Sequence, residues 1–355
     1  NRAVSSRPSM PILSNLLLAT EDGRLSITGN NLELGITARV GAKVDEDGAF
    51  SIPARTILEL VGTLPQERVD LELDARVGAL RVTCGSTVTT IKGLDAEGFP
   101  ALPPMDTETG IEIPAHVFQK MIDQVVFACA KEDNRPTLMG VLTRFEGNHC
   151  TLVGADGFRM SMRTAELEQS VGRSTSVIIP ARTLSELSRI IGSATGSLFI
   201  SLAPGRNQVM FHVDGTDVVS QLLDGKYPDV EALIPKSSPT KITLQSIDLL
   251  RVCKRAEIFA REANNTMRLR VEPGSPASTL LVRAEAQEQG SNEDRIEALV
   301  SGPGLEISFN TRYLIDALNV VGTEQVTLEM NSAANPGVLR PVGQADFTYV
   351  VMPMS

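Results

Sequence analysis

The chain has 355 residues, of which 42% are hydrophobic, and a formal net charge of −10. This length suggests two or three domains, and the composition is that of an ordinary globular protein with a core of normal size. No apolar run approaches the roughly 18 residues of a membrane span, and the first eight residues lack the apolar stretch of a secretory signal, so no membrane partner is expected.

One segment recurs three times, at a spacing of about 128 residues. Ile52–Leu60 returns as Ile179–Leu187, and a looser copy follows at Phe309–Leu318. Gly98–Pro100 and Lys226–Pro228 keep the same spacing. Because this period is the size of a whole domain, the sequence predicts three consecutive copies of one domain.

Proline-containing stretches mark the boundaries of these copies, which are predicted at residues 1–107, 108–236 and 237–355. The second copy begins near Ile111, and the same period puts the start of the first copy about 17 residues before Asn1. The first domain is therefore expected to lack its first strand and helix in this chain.

The second copy gives the order of elements. Its first half is predicted to be a strand, a helix and three strands, at 111–113, 114 to about 130, 141–145, 150–153 and 159–164. Its second half repeats this order, at 177–179, 180 to about 191, 198–202, 208–213 and 218–223, and Gly192 is placed to end the helix. The pattern predicts an α+β domain with two helices packed on antiparallel sheets and internal pseudo-two-fold symmetry.

Catalytic and cofactor motifs are missing from the sequence. It contains no phosphate-binding loop, no dinucleotide-binding turn and no nucleophile elbow, and its acidic residues form no dense ligand cluster. Asp156-Gly157 and Asp224-Gly225 are interpreted as turns. No catalytic residue, cofactor or metal is therefore expected.

Cysteine usage fits the reducing environment of the cytoplasm. The cysteines lie far apart without a C-x-x-C pair, which favours free thiols, at Cys84, Cys129, Cys150 and Cys253. The three histidines lack metal-ligand spacing. An enzyme that uses Cys129 or His116 stays as an alternative, and it requires a perturbed nucleophile in a concave pocket.

The acidic average argues against a nucleic-acid partner, because binding to phosphates needs local positive charge. However, an acidic protein can carry one basic stripe. Arg55, Arg182 and Arg312 occupy the same helix-start position in the three copies, which suits such a stripe. A solvated helix face would also explain each arginine taken singly.

Four segments together resemble the bacterial sliding clamp, the β subunit of the replicative DNA polymerase III. They are Met10–Leu18, Ala155–Met160, Tyr227–Asp229 and Tyr349–Met354, and the resemblance covers essentially the whole chain in order. It implies the DNA clamp fold, in which this chain forms half of a closed ring. It also implies a homodimer that encircles duplex DNA without sequence specificity and tethers the polymerase for processivity.

The resemblance implies DNA-facing positions on the inner wall of the ring. Arg7 and Arg55 match such positions, and Arg182 lies at the equivalent place one copy later. Pro136 and Thr137 lie in a loop that matches a DNA-touching loop, although well-known family members carry two tyrosines there. A modest basic lining would attract DNA weakly, and the ring itself would hold it.

The resemblance also implies a cleft between domains two and three that binds short linear peptides of DNA polymerase subunits, the clamp loader and repair proteins. The matching residues are Arg135, Leu138, Ala155, Gly157, Phe158, Arg159, Met160, Pro228, Leu233, Asn310, Tyr313, Val350 and Met352. Plain inter-domain core is the alternative reading of Val350 and Met352. Phe158 and Ala232 replace commonly polar or basic residues, which suggests a preference for more apolar peptides.

A head-to-tail subunit contact between domains one and three completes what the resemblance implies. Its matching residues are Thr89 and Ile91 on one side and Ile258 and Phe259 on the other. A buried helix end is the alternative reading of the second pair. The alternative function is a clamp paralogue with a peptide-binding role, such as resistance to a clamp-directed inhibitor.

Overall fold

The computed structural model describes residues 2–5, 10–104, 110–132, 134–192, 194–203, 207–274 and 277–354. The described residues form 24 β-strands and five α-helices, and none of these helices has both the length and the apolar character needed to cross a membrane. The chain folds into two compact units, one of residues 1–118 and 186–222 and one of residues 119–185 and 223–355.

The strands are numbered in chain order. They are β1 (Asn15–Glu21), β2 (Arg24–Asn30), β3 (Leu34–Gly41), β4 (Ala49–Pro53), β5 (Val69–Asp74), β6 (Ala79–Cys84), β7 (Thr87–Lys92), β8 (Leu94–Asp95), β9 (Ile111–Pro114), β10 (Gly140–Glu146), β11 (His149–Ala155), β12 (Arg159–Glu166), β13 (Thr175–Pro180), β14 (Ser197–Ala203), β15 (Gln208–Val213), β16 (Thr216–Gln221), β17 (Thr240–Gln245), β18 (Thr266–Glu272), β19 (Ser278–Ala286), β20 (Gly290–Ser301), β21 (Leu305–Asn310), β22 (Gln325–Met330), β23 (Gly337–Pro341) and β24 (Phe347–Val351). The helices are α1 (Ala54–Val61), α2 (Ala115–Val125), α3 (Ala181–Ile191), α4 (Ser246–Ala260) and α5 (Thr311–Val320).

The first unit contains a nine-stranded antiparallel sheet with the strand order β8-β4-β1-β2-β3-β16-β15-β14-β9. Strands β3 and β16 come from different sequence copies, and they pair with Thr37 opposite Asp217. The sheet therefore runs without interruption from the first copy into the second. A separate three-stranded sheet, β5-β6-β7, belongs to the first copy.

The second unit repeats this arrangement on a larger scale. Its 12-stranded sheet has the order β13-β10-β11-β12-β24-β23-β22-β17-β20-β19-β18-β21. Strand β12 of the second copy pairs with β24 of the third, with Met160 opposite Val350. Here too, backbone hydrogen bonds join two copies into one sheet.

Helices α1, α3 and α5 begin at equivalent positions of the three copies, and α3 begins one residue after the predicted start at Pro180. In the first two, the proline ends the preceding strand and alanine opens the helix, and Pro53 is the N-cap of α1 with φ −56° and ψ 118°. In α5 the side chain of Asn310 accepts a hydrogen bond from the backbone N–H of Arg312, which satisfies a donor of the first turn.

Helix ends follow the sequence in one case and depart from it in another. Gly192 follows the last residue of α3 and adopts φ +46°, as its predicted role as a helix stop requires. Helix α2 ends at Val125, about five residues earlier than predicted. The chain tightens into a 3-10 turn at Val126–Ala128, after which the N–H of Ala130 donates to the carbonyl of Leu138.

The cores follow the helical periodicity of the sequence. In α2 the predicted apolar face is fully buried, at Phe118, Met121, Ile122 and Val125. Each such side chain contributes about 1.5–3 kcal/mol through its removal from water. The α+β class and the two-helix plan of the second copy are confirmed.

Candidate functional site

An apolar floor contains four of the predicted cleft residues. These are fully buried in one cluster of the second unit, at Leu138, Ala155, Met160 and Val350. Tyr227 and Val230 belong to the same cluster, and the Tyr227 hydroxyl donates to the carbonyl of Val153 at 3.3 Å. These side chains form one buried apolar cluster of the second unit.

A tight turn rises beside this floor at residues 156–159. Asp156 Oδ1 accepts hydrogen bonds from the N–H of Phe158 at 2.9 Å and of Arg159 at 3.1 Å. Gly157 adopts φ +94°, which confirms the predicted Asp-Gly turn. Phe158 is 58% exposed at its tip, and its carbonyl accepts from the N–H of Met352 at 2.8 Å.

Arg159 lies under the turn and is only 8% exposed. Its Nε donates to Asp156 at 3.0 Å, its Nη1 to Asp316 at 2.6 Å and its Nη2 to the carbonyl of Phe127 at 2.9 Å. Burial lowers the pKa of Arg159, but Tyr349 and the two carboxylates raise it more, so the net shift is upward. The guanidinium therefore stays charged, and each of its three nitrogens donates a hydrogen bond.

The remaining predicted cleft residues, called the rim of the proposed cleft, are less buried than the floor. Arg135, Gly157, Pro228 and Leu233 are exposed, whereas Asn310, Tyr313 and Met352 are half-buried. Arg135 precedes the 3-10 turn Pro136–Met139, and its carbonyl accepts from the N–H of Leu138. In this chain the reading as plain core fits the fully buried Val350 better than the half-buried Met352.

The three helix-start arginines are all exposed at the second residue of α1, α3 and α5. Arg55 is paired with Glu59 at 2.8 Å, and Arg312 with Glu257 at 3.2 Å. The start of a helix is the positive end of its dipole, so an arginine there does not stabilise the helix. The dipole therefore gives no reason for an arginine at these positions, although Arg55 and Arg312 each have a carboxylate partner within the chain.

The other predicted DNA-facing residues differ in how much the structure says of them. Pro136 is exposed and Thr137 is half-buried, next to Gly225. Arg7 lies outside the described residues.

The predicted subunit-contact residues lie on one strand, β7, and one helix, α4. Ile258 is 52% exposed on α4, Phe259 and Thr89 are half-buried, and Ile91 is only 4% exposed. Alternate residues of β7 face the core, so the Ile91 side chain packs within its own unit. At this position only the backbone of Ile91 could take part in a subunit contact.

Several strands have a free edge in the described part of the chain, among them β7 at the end of the three-stranded sheet and a part of β20. Strand β7 pairs with β6 on one side only. Residues 290–298 of β20 pair with β19 on one side, and only residues 299–301 reach β17 on the other. Such edges present unpaired N–H and carbonyl groups that a further strand can satisfy.

The predicted free thiols are all buried and free. Burial raises the pKa of the Cys129 thiol from 9.0 to about 12, with a further contribution from Asp156. A buried, protonated thiol is a poor nucleophile, which contradicts the alternative of an enzyme that uses Cys129. His116 is exposed on α2 and does not share a pocket with the buried Cys129.

Several residues of the site were missed by sequence reasoning. Asp316 and Phe127 both contact Arg159, and Val230 joins the apolar floor. Asp316 is one turn after Tyr313 on α5, so a helical projection of that segment shows that the two side chains share a face. Nothing local in the sequence connects either of them with Arg159.

Comparisons with known proteins cover the whole chain. Family models of the DNA polymerase III beta subunit match in order, the N-terminal domain at residues 1–103, the central domain at 112–229 and the C-terminal domain at 231–355. The beta sliding clamp of Synechococcus elongatus is 30% identical over 357 residues, which cover 100% of this chain and 94% of that protein.

Solved structures give the same result. The DNA polymerase sliding clamp of Bacillus subtilis has a TM-score of 0.93 at 29% identity and covers 100% of this chain and 94% of its own. The DNA polymerase III subunit beta of Pseudomonas aeruginosa has a TM-score of 0.91 at 29% identity, with 99% and 94% covered. The chain therefore belongs to the DNA polymerase III beta subunit family, the bacterial sliding clamps, and has their three-domain fold.

Proposed function

We propose that two copies of this chain close into a ring around duplex DNA and tether the replicative polymerase and other replication and repair proteins to it. The observation that carries this proposal is the likeness to sliding clamps along the entire chain, with a TM-score of 0.93. A polymerase held by such a ring rebinds the template before it diffuses away, because its effective local concentration is high. The protein works in this way on DNA inside the cell and needs neither a cofactor nor catalytic residues.

Contact with DNA is proposed to be weak and without sequence specificity. The exposed Arg55 and Arg182 at equivalent helix starts, with Arg7 and the loop at Pro136 and Thr137, form its basic lining. Weak phosphate contacts let DNA slide, whereas tight contacts would impose barriers to movement. The net charge of −10 keeps other DNA away from the rest of the surface.

Ring closure is proposed to join two of the free strand edges. Strand β7 of one copy would pair with residues 290–298 of β20 of the other, and the exposed Ile258 would be buried beside the junction. Because the two surfaces differ, the contact is head-to-tail and closes after two copies.

Partner proteins are proposed to insert short linear peptides between the exposed rim and the buried floor of the second unit. The fully buried Met160 and Val350 support the cleft from below, and Arg135 and Asn310 provide polar edges. Pockets of this kind bind an anchor side chain from a flexible segment.

The alternative of a paralogue with another role is not favoured by any comparison. Replacement of an essential clamp gene by this one separates the two functions, since a paralogue would not restore growth.

Encirclement is tested on DNA of defined topology. The protein is loaded onto a nicked circle by the clamp loader of the same organism, the circle is cut once, and retention is followed by gel filtration. We expect release from the cut DNA and retention when streptavidin blocks both biotinylated ends. Equal release from blocked and open ends would overturn the ring proposal.

A further inference from the structure

We infer that Asp316 is a positioning residue for the peptide cleft. Through Arg159 it locks the turn at residues 156–159 to helix α5, so that the rim is formed before a peptide arrives. This inference rests on the proposed peptide-binding function, but its structural part can be tested on the free protein.

The hydrogen bonds of Arg159 connect the turn to other parts of the second unit. Each of its three guanidinium nitrogens has an acceptor, and these acceptors come from three different places: the turn (Asp156), the segment after α2 (Phe127) and α5 (Asp316). Arg159 thus joins three elements of the second unit. With an acceptor on each guanidinium nitrogen and only 8% of its surface exposed, it offers little to a peptide directly.

Helix α5 contacts Arg159 through Tyr313 and Asp316. The guanidinium carbon lies 4.4 Å from the centroid of the Tyr313 ring, and Asp316 follows Tyr313 by three residues, which puts both on one side of the helix. The Tyr313 carbonyl also accepts a hydrogen bond from the Tyr349 hydroxyl at 2.8 Å. Asp316 therefore fixes the guanidinium in the position in which it holds the Tyr313 ring.

The hydrogen bonds around Arg159 extend to the surface of the proposed cleft. The turn that Arg159 holds displays Phe158 at its tip, and the carbonyl of Phe158 accepts from the N–H of Met352. Phe158 is exposed on the turn, and the rim residues Tyr313 and Met352 are half-buried, so none of the three is fully buried. A rim that is already ordered binds a peptide without the entropic cost of ordering it.

The chain offers a matched control for a buried arginine that loses its carboxylate. Arg163 pairs with Asp346, and the side-chain exposures of that pair, 9% and 44%, are close to the 6% and 42% of Arg159 and Asp316. Asp346→Ala removes an equivalent ion pair in the same unit without touching Arg159.

Hydrogen exchange on the free protein tests the positioning role directly. In Asp316→Ala we expect the amides of Phe158, Arg159 and Met352 to exchange about tenfold faster, because the turn opens more often. Asp316→Asn, which keeps an acceptor oxygen, should lie between this variant and the unaltered protein, and it decides the question if the alanine variant does not fold. Asp346→Ala should leave these amides unchanged. Unchanged exchange in a folded Asp316 variant, or equal acceleration in Asp346→Ala, would overturn the inference.

Binding kinetics separate positioning from contact. The probe is a fluorescent hexapeptide with leucine and phenylalanine anchors. If Asp316 only raises the fraction of ordered rim, its loss lowers the association rate about tenfold and leaves the dissociation rate unchanged. Met352→Ala should instead raise the dissociation rate. A loss confined to dissociation in Asp316→Ala would refute positioning, whereas no binding by the unaltered protein would count against the peptide cleft and leave the exchange result standing.

Discussion

The Nη1 atom of Arg135 lies only 2.2 Å from the place that a Cβ atom at Gly157 would take. The guanidinium therefore occupies the space that the missing side chain leaves. Two rim residues that are far apart in sequence are in close contact only because one of them is glycine.

Gly157→Ala is expected to weaken both folding and peptide binding. The backbone at φ +94° strains any residue with a Cβ atom, and the Arg135 side chain must move away, so the free energy of unfolding should fall by about 1–3 kcal/mol. Chemical denaturation measures this change. Gly147→Ala is the control, because its φ of +57° is left-handed but no atom lies within 4 Å of the added group. An equal loss in both variants would mean that the packing of Arg135 contributes nothing.

Ile258→Ser is expected to weaken the dimer. If the half-exposed isoleucine is buried at the ring junction, its loss removes about 1.5 kcal/mol or more and raises the dimer dissociation constant at least tenfold. Sedimentation at several concentrations measures this constant. Ile247→Ser is a matched control, since Ile247 is 51% exposed on the same helix, against 52% for Ile258. A monomer at micromolar concentration before any substitution would contradict the ring.

Arg182→Ala is expected to weaken DNA binding in a salt-dependent way. One lost phosphate contact should lower the slope of the logarithm of affinity against the logarithm of salt concentration by about 0.9, equally for all DNA sequences. Anisotropy titrations on a labelled duplex give this slope. Arg268→Ala, an exposed arginine on β18 paired with Glu306, should not change it. Equal slopes for both variants would remove α3 from the DNA surface.

Phe158→Ser is expected to reduce the preference for apolar peptides. The exposed ring offers apolar contact, so its loss should cost an apolar peptide about tenfold in affinity. A polar variant of the same peptide should lose much less. Val77→Ser, another exposed apolar residue, is the control. Equal affinity of the unaltered protein for both peptides would refute the preference.

Three thiols are expected to resist alkylation at pH 8. Burial raises the pKa of Cys129, Cys150 and Cys253 from 9.0 to about 12, so their thiolate fraction falls about a thousandfold. Because the folded state keeps these protons, this contribution to stability is complete below pH 9 and is lost as the pH rises toward 12. Mass spectrometry after iodoacetamide treatment should show these thiols unmodified in the native protein and modified in guanidinium. Rapid modification of native Cys129 would revive the reading as an enzyme.

The elements of one copy could be predicted because their signals are local. Helical spacing identified the buried face of α2, and Gly192 marked the end of α3. The pairing of β3 with β16 had no such signal, because sheet partners that are far apart in sequence are chosen by tertiary packing. The period of the repeats predicted copies, but it did not predict that neighbouring copies share a sheet.

The site divides in the same way. The Asp-Gly turn was visible in the sequence, and the resemblance supplied the residues of the cleft. The burial of Arg159 and Arg163 was not visible, because strands of alternating pattern ordinarily turn charged residues to solvent. Each is buried beside a carboxylate more than 150 residues away, Asp316 or Asp346, and only the folded chain brings these pairs together.

The ladders between β3 and β16 and between β12 and β24 restrict how this molecule can be dissected. A middle copy expressed alone as residues 108–236 would leave β16 and β12 each with one unpaired edge. Both strands would then expose unpaired backbone N–H and carbonyl groups, which promote aggregation. Although the gene carries a threefold duplication, the boundaries between its copies are poor places to cut the protein, and none of the three is expected to survive as an independent module.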